Sequence, residues 1–482
     1  MMKTFRIALL LLAFWTPSAQ AEESSVFTLW PLLDYRASEP AQYRSLSLLG
    51  PILKHETKEN ETEYAVRPLF YRATDNESAS QTEVLYPVFG YKRDKDDVSF
   101  HLLHLLKLHS PGEEYGSMQR NYLFPFLFHG EDKEYGTYRA FFPVYGTLYR
   151  WFGRDEISFT LFPLYSKTMR KGTRVDNVLW PFFARISGEN ESGFKLWPLY
   201  GRSDKEGVYR KRMFLWPIFF SESLRLDTDN PVEKRAAWPF YISHDSPKLS
   251  KRTWLWPFFS RTENRKKGYT SWNAPWPLVR VTKGEKYHGL KLLPFYSDET
   301  MDAKRERWYL WPIYKIEELN SEMIARRRDR VLFFLYSDLT EDRMETGDSM
   351  RRVALWPLFG YERNNGVSHL HLLALLEPFF PANQGIERSW APLWRVYQQK
   401  WDRQGNRVVS LLWNLYWQEK QGERMAWELF PLVEYRRDAA KEKDIKLLKG
   451  LFRYRSGDSG KKINLFYLPW ALRFGDDALK RG

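Results

Sequence analysis

Apolar centres of about five to nine residues alternate along the whole chain with polar, turn-rich stretches, and the pattern recurs roughly every 19 residues. The apolar centre reads Leu-Trp-Pro-Leu-Tyr or a near variant, beginning at Leu29-Trp30-Pro31-Leu32-Leu33. Its proline returns at Pro31, Pro68, Pro87, Pro125, Pro143, Pro163, Pro181, Pro198, Pro217, Pro239, Pro257, Pro277, Pro294, Pro312, Pro357, Pro392 and Pro431. Weaker copies, such as 332–336 and 412–416, replace the proline and bring the series to about 24 units. Self-similarity of this kind defines an array of one stacked supersecondary unit.

The centres are rich in aromatic and branched residues, which suit a pleated surface. The stretches between them, such as 187–190, 204–207 and 363–366, carry Gly, Asn, Asp and Ser, the residues of turns. Alternation points the same way. In the first unit Phe27, Leu29, Pro31, Leu33 and Tyr35 fall on one face, and Thr28, Trp30, Leu32, Asp34 and Arg36 on the other. Near the C-terminus Met425, Trp427, Leu429, Pro431, Val433 and Tyr435 repeat the apolar face. Not every unit follows the rule, since Arg252, Trp254, Trp256 and Phe258 place bulky residues on the usually mixed face.

The expected fold is therefore all-β: a repeat-built antiparallel meander of about 24 strands, one per unit, closed as a large barrel or wrapped as a curved or two-layer array. A proline inside each helix excludes a helical solenoid. On the strand reading the prolines mark a shared bend or bulge at one level of the sheet. On the opposite reading the motif is a tight loop, the charged stretches are strands, and Gly207 and Gly366 lie inside sheets. Segments 100–108 and 369–376 lose the proline and become rich in Leu and His, which reads as a trace of internal duplication or as two copies of a local helical or bulged insert. Both follow similar lead-ins, Gly90-Tyr91-Lys92-Arg93 and Gly360-Tyr361-Glu362-Arg363.

Residues 1–21 read as a secretory signal, with Lys3 and Arg6, an apolar run and Ala19-Gln20-Ala21, so that 22–482 form a single β-repeat domain. The chain has no cysteine, so export leaves it without disulfides, which fits a Gram-negative-type bacterial envelope. The three sequons at Asn60, Asn76 and Asn190 matter only in a glycosylating host. Net charge is +14, or +12 without Lys3 and Arg6, which favours anionic partners. Export argues against nucleic acid, leaving membrane lipid or an anionic envelope polymer as partner classes.

The sequence contains no nucleophile elbow, dinucleotide fingerprint, P-loop or His-Glu-x-x-His. His369 and His371, and His101 and His104, form local pairs without further ligands, so no metal, cofactor or catalytic residue is assigned. The expected function is a non-enzymatic outer-membrane barrel or channel for an amphipathic or anionic solute. In it Trp30, Trp180, Trp197, Trp216, Trp311 and Trp356 would point inward. The second expectation is a soluble or surface-attached β-scaffold that binds an anionic glycan, lipopolysaccharide or a partner protein.

Overall fold

The computed structural model describes residues 24–474 apart from 40–41, 76–78, 104, 113–118, 382, 458–459 and 469. The expected leader therefore lies outside the described residues, as does His104. The protein is all-β, a single antiparallel meander of 46 strands running from β1 (Ser24–Leu29) to β46 (Ala471–Phe474). Most strands have five or six residues, with eight in Ile324–Val331 and Tyr336–Arg343. The sheet is not closed by strand pairing.

Each repeat contributes two strands rather than the expected one, because the chain reverses at both of its landmarks. The polar stretches are hairpin turns, as expected: Asn365 and Gly366 join Asn364 to its partner Val367 with φ of 47° and 90°. These are the left-handed values that an Asn-Gly hairpin turn needs. Gly207 also lies in such a turn, at φ 68°. The Leu-Trp-Pro-Leu-Tyr centre is not a strand but the opposite turn. Leu29 pairs with Leu33 across Trp30-Pro31-Leu32, and the Leu32 N–H donates to the Leu29 carbonyl at 2.8 Å. Every proline of the series except Pro392 follows a cis peptide bond, the arrangement of a type VI turn. The proline column thus marks a chain reversal, not a bulge, and no central strand loses a donor to it.

The expected alternation survives this correction because of the loop length. With three residues in the turn, Phe27 pairs with Tyr35 and Leu29 with Leu33, so residues of equal parity share a face on both arms. Other units have a four-residue turn, which flips parity: Trp254 pairs with Phe259 across Leu255-Trp256-Pro257-Phe258, and the same spacing recurs at Val178–Phe183, Phe214–Phe219 and Tyr309–Tyr314. Segment 100–108 is an ordinary hairpin, with strands Asp97–Leu102 and Leu106–Ser110, not a helical insert. In the other segment the strand Val367–Leu372 ends and the meander is interrupted by two short helices, α1 (Gln384–Ser389) and α2 (Ala391–Trp394). Pro392 lies within α2, near its start.

All motif turns lie along one edge of the sheet and all polar turns along the other. One face, here called inner, carries small and polar residues at the second position from the motif edge. Cross-strand partners trace it without a break through Thr28, Asp34, Ser47, Lys54, Ala65, Tyr71, Glu83, Gly90 and His101. Farther on it includes Gly360, His371, Gln398, Ser410, Trp417 and Glu428. At two places on it a histidine covers a glycine, and a Cβ on Gly90 or Gly360 would collide with the imidazole of His101 or His371. The two similar lead-ins seen in the sequence share this arrangement.

The two ends of the sheet meet by their inner faces. Asn414 donates to Asp34 at 2.7 Å, and Arg36 lies over the Trp417 ring and 2.6 Å from Glu419. Helix α1 inserts between the ends, where Arg388 pairs with Glu83 and covers the Tyr71 ring at 4.5 Å. The long sheet therefore curls until its ends pack face to face, which shuts the loop without edge pairing. On the inner face Phe128, Tyr138, Ala140, Leu148 and Phe159 form an apolar cluster.

Candidate membrane interface at the motif edge

The outer face next to the motif edge is apolar along the length of the sheet. Its first row runs through Leu29, Leu33, Leu48, Leu53, Val66 and Phe70, and continues in kind to Phe452 and Leu465, broken only by Thr160. The turns beyond this row are apolar as well and point into solvent: Phe240 is 67 % exposed and Phe295 69 %. Leu32, Leu69, Leu164, Leu199, Phe258 and Leu358 are exposed in the same position, directly after the proline. Such a continuous band far exceeds the scattered apolar residues of an ordinary surface and marks an interaction surface.

The backbone of this edge is largely satisfied from within. Successive turns hydrogen-bond to one another, the tryptophan N–H of one turn donating to the proline carbonyl of the turn before. Trp180 donates to Pro163 at 2.8 Å, Trp216 to Pro198 at 2.7 Å, Trp256 to Pro239 at 2.7 Å and Trp311 to Pro294 at 2.6 Å. Proline has no N–H of its own to bury. The edge thus combines apolar side chains with paired main-chain groups, which is what entry into a hydrocarbon phase demands.

The six tryptophans expected to point inward are in these turns. Trp180, Trp216 and Trp311 are about half exposed, and the rings of Trp197 and Trp216 stand 6.0 Å apart along the edge. Among the described residues the Trp180, Trp216 and Trp311 indole N–H groups have no protein acceptor, whereas Trp30 donates to Leu412 and Trp356 to Leu375. An aromatic ring with a polar tip left facing solvent is the group that settles at a membrane–water interface.

The inner face carries charge, mostly neutralised within the protein. Glu317 is ion-paired to Lys315 at 2.6 Å and to Arg330, and although burial opposes it these partners hold its carboxyl down at about 2. Glu428 is 2 % exposed, accepts from the Trp417 indole at 3.2 Å and pairs with Lys449, yet burial dominates and raises its pKa. Burial also pushes His371 down to about 3, with Arg395 and His369 adding to the effect. The His369 and His371 rings are 5.3 Å apart, and no group of three or more metal-ligating side chains occurs among the described residues. Reasoning from sequence missed Glu428 and the Glu83–Arg388 pair, whose members are 305 residues apart, and placed its expected helical insert at 369–376, ahead of the helices at 384–394. No family model matches the chain, and no curated protein matches it.

Proposed function

We propose that this is an exported, non-enzymatic protein of the cell envelope that seats its motif edge in one leaflet of a lipid bilayer. The carrying observation is the apolar row, interrupted only at Thr160 among the described residues, and its apolar turns, with main-chain groups paired from turn to turn. An apolar face of this height suits insertion to the ~5–10 Å depth of an interfacial element. The half-exposed tryptophans and the polar turns on the opposite edge give the orientation, with the latter in water.

Two observations weigh against a spanning channel. Strands such as Glu191–Leu196 and Tyr200–Lys205 have six residues, about 20 Å of extended chain, where a spanning strand needs about 9–11. The sheet is also open at its edges. Inner-face charges such as Lys291 and Glu299, 3.2 Å apart, answer one another rather than a solute.

Flotation of the purified protein with phosphatidylcholine vesicles tests the reading. The protein is expected to rise with the vesicles and to stay with them through a high-salt wash. Recovery at the bottom of the gradient, soluble without detergent and free of lipid, would overturn it.

A further inference from the structure

One sector of the outer face departs from the rest. Two residues further from the motif edge than the apolar row, the level is mixed over most of the sheet: Phe27, Tyr35, Leu46, Trp427 and Tyr435 alternate with polar residues such as His55 and Gln418 and with isolated arginines, Arg72, Arg139 and Arg307. In the middle of the sheet that level turns basic: Arg185, Arg202, Arg212, Arg235, Arg252 and Arg261 occupy it on successive or alternate strands. All six are exposed.

Arg202 stands directly opposite Arg212, and Arg252 opposite Arg261. Like charges in register repel. Among the described residues Arg185, Arg212 and Arg252 have no carboxylate partner. The acids of this sector stand one step farther out on the same face, at Asp204, Glu233, Asp245 and Glu263. The outer face is therefore layered from the motif edge outward: apolar row, arginine row, acidic row. The first two lie about 7 Å apart, two residues of extended strand.

We infer that this arginine row binds the phosphates of anionic lipid head groups in the bilayer that holds the motif edge. The inference rests on the membrane reading above. With the apolar row at the acyl boundary, a step of about 7 Å brings the guanidinium groups to the phosphate level. A planar guanidinium donates two parallel hydrogen bonds to a phosphate. Phosphate would also supply a counter-charge to Arg212 and Arg252, whereas Arg202 already pairs with Asp204 and Arg235 with Glu233. Arginines are densest at this level in one sector, so the protein would gather anionic lipid mainly on one side of its footprint.

The test compares binding to vesicles of phosphatidylcholine alone and of equimolar phosphatidylcholine and phosphatidylglycerol, at about 0.15 M salt. The native chain is expected to bind the anionic vesicles at least about tenfold more tightly, since each basic residue near such a surface adds attraction. The variant carrying Arg202→Gln, Arg212→Gln, Arg252→Gln and Arg261→Gln should lose that preference and keep its binding to phosphatidylcholine. The smaller variant Arg212→Gln with Arg252→Gln, which breaks no ion pair, should lose a several-fold part of it. If both variants keep the full preference, or the native chain shows none, the inference fails while the membrane reading stands. If the native chain binds neither vesicle, both fail.

Discussion

Arg388 in the helical insert forms a forked ion pair with Glu83, 305 residues earlier in the chain, and the Glu83 side chain is buried. Arg388 also lies over the Tyr71 ring, and Arg67 donates to its carbonyl at 2.7 Å. This is one of the few places where the two ends of the sheet are tied by charge. Removing the guanidinium leaves a buried carboxylate without its partner, which costs about 3–5 kcal/mol. Arg388→Ala is therefore expected to lower the urea midpoint markedly. Adding Glu83→Gln to it should restore part of the loss.

The histidine-over-glycine pairs give a second expectation. A methyl on Gly360 would collide with the His371 ring, which is itself buried. Overpacking of this kind costs about 1–3 kcal/mol. Gly360→Ala should destabilise the protein by that order, and Gly360→Ala with His371→Ala should cost less than the sum of the two single changes. Gly172, where a Cβ would meet nothing, is not a neutral control because its φ of 77° disfavours any side chain.

The same histidine sets a pH dependence. Its folded pKa, about 3, lies below the ordinary value of 6.5, so the unfolded chain takes up the proton first as pH falls. The contribution of neutral His371 is complete above about pH 6.5 and is lost progressively down to about pH 3. Glu317, held at about 2 against 4.5, acts in the same direction but only below about 4.5. Thermal unfolding between pH 6.5 and 4.5 should thus show a loss of stability that His371→Gln reduces. An unchanged slope in that variant would assign the loss to other groups.

How far the fold was legible is clearest in the first unit. The grouping of Phe27, Leu29, Leu33 and Tyr35 on one face was readable from alternation alone, and it is correct. The reversal at Pro31 entered only as the second of two readings of the motif, because turns ordinarily advertise themselves by polar residues, and this one is built from Trp, Pro and Leu. Its apolar character reflects where the turn sits, at an edge whose surroundings are proposed to be lipid, so the usual composition rule has no purchase. The arginine row was partly readable in retrospect: Phe183-Ala184-Arg185, Tyr200-Gly201-Arg202 and Phe259-Ser260-Arg261 repeat an aromatic, small, arginine triplet just after the motif. The face-to-face closure was not, since it joins residues such as Asp34 and Asn414, 380 positions apart.

The exposed and buried tryptophans separate stability from membrane binding. Trp417 is 1 % exposed, lies beneath Arg36 and donates to Glu428, whereas Trp216 is 46 % exposed in a motif turn. Trp417→Ala removes a fully packed ring and is expected to cost about 3–5 kcal/mol. Trp216→Ser leaves the backbone ladder to Pro198 in place and removes a ring that is already half in water, so its effect on the unfolding midpoint should be small. On phosphatidylcholine vesicles the order reverses: Trp216→Ser, combined with Phe240→Ser and Phe295→Ser, should weaken binding at least about tenfold, since each fully buried aromatic side chain contributes about 1.5–3 kcal/mol. Paired unfolding and flotation measurements decide the matter. A large stability loss from Trp216→Ser would place that ring in a packed core, and undiminished flotation of the triple variant would remove the motif edge from the membrane.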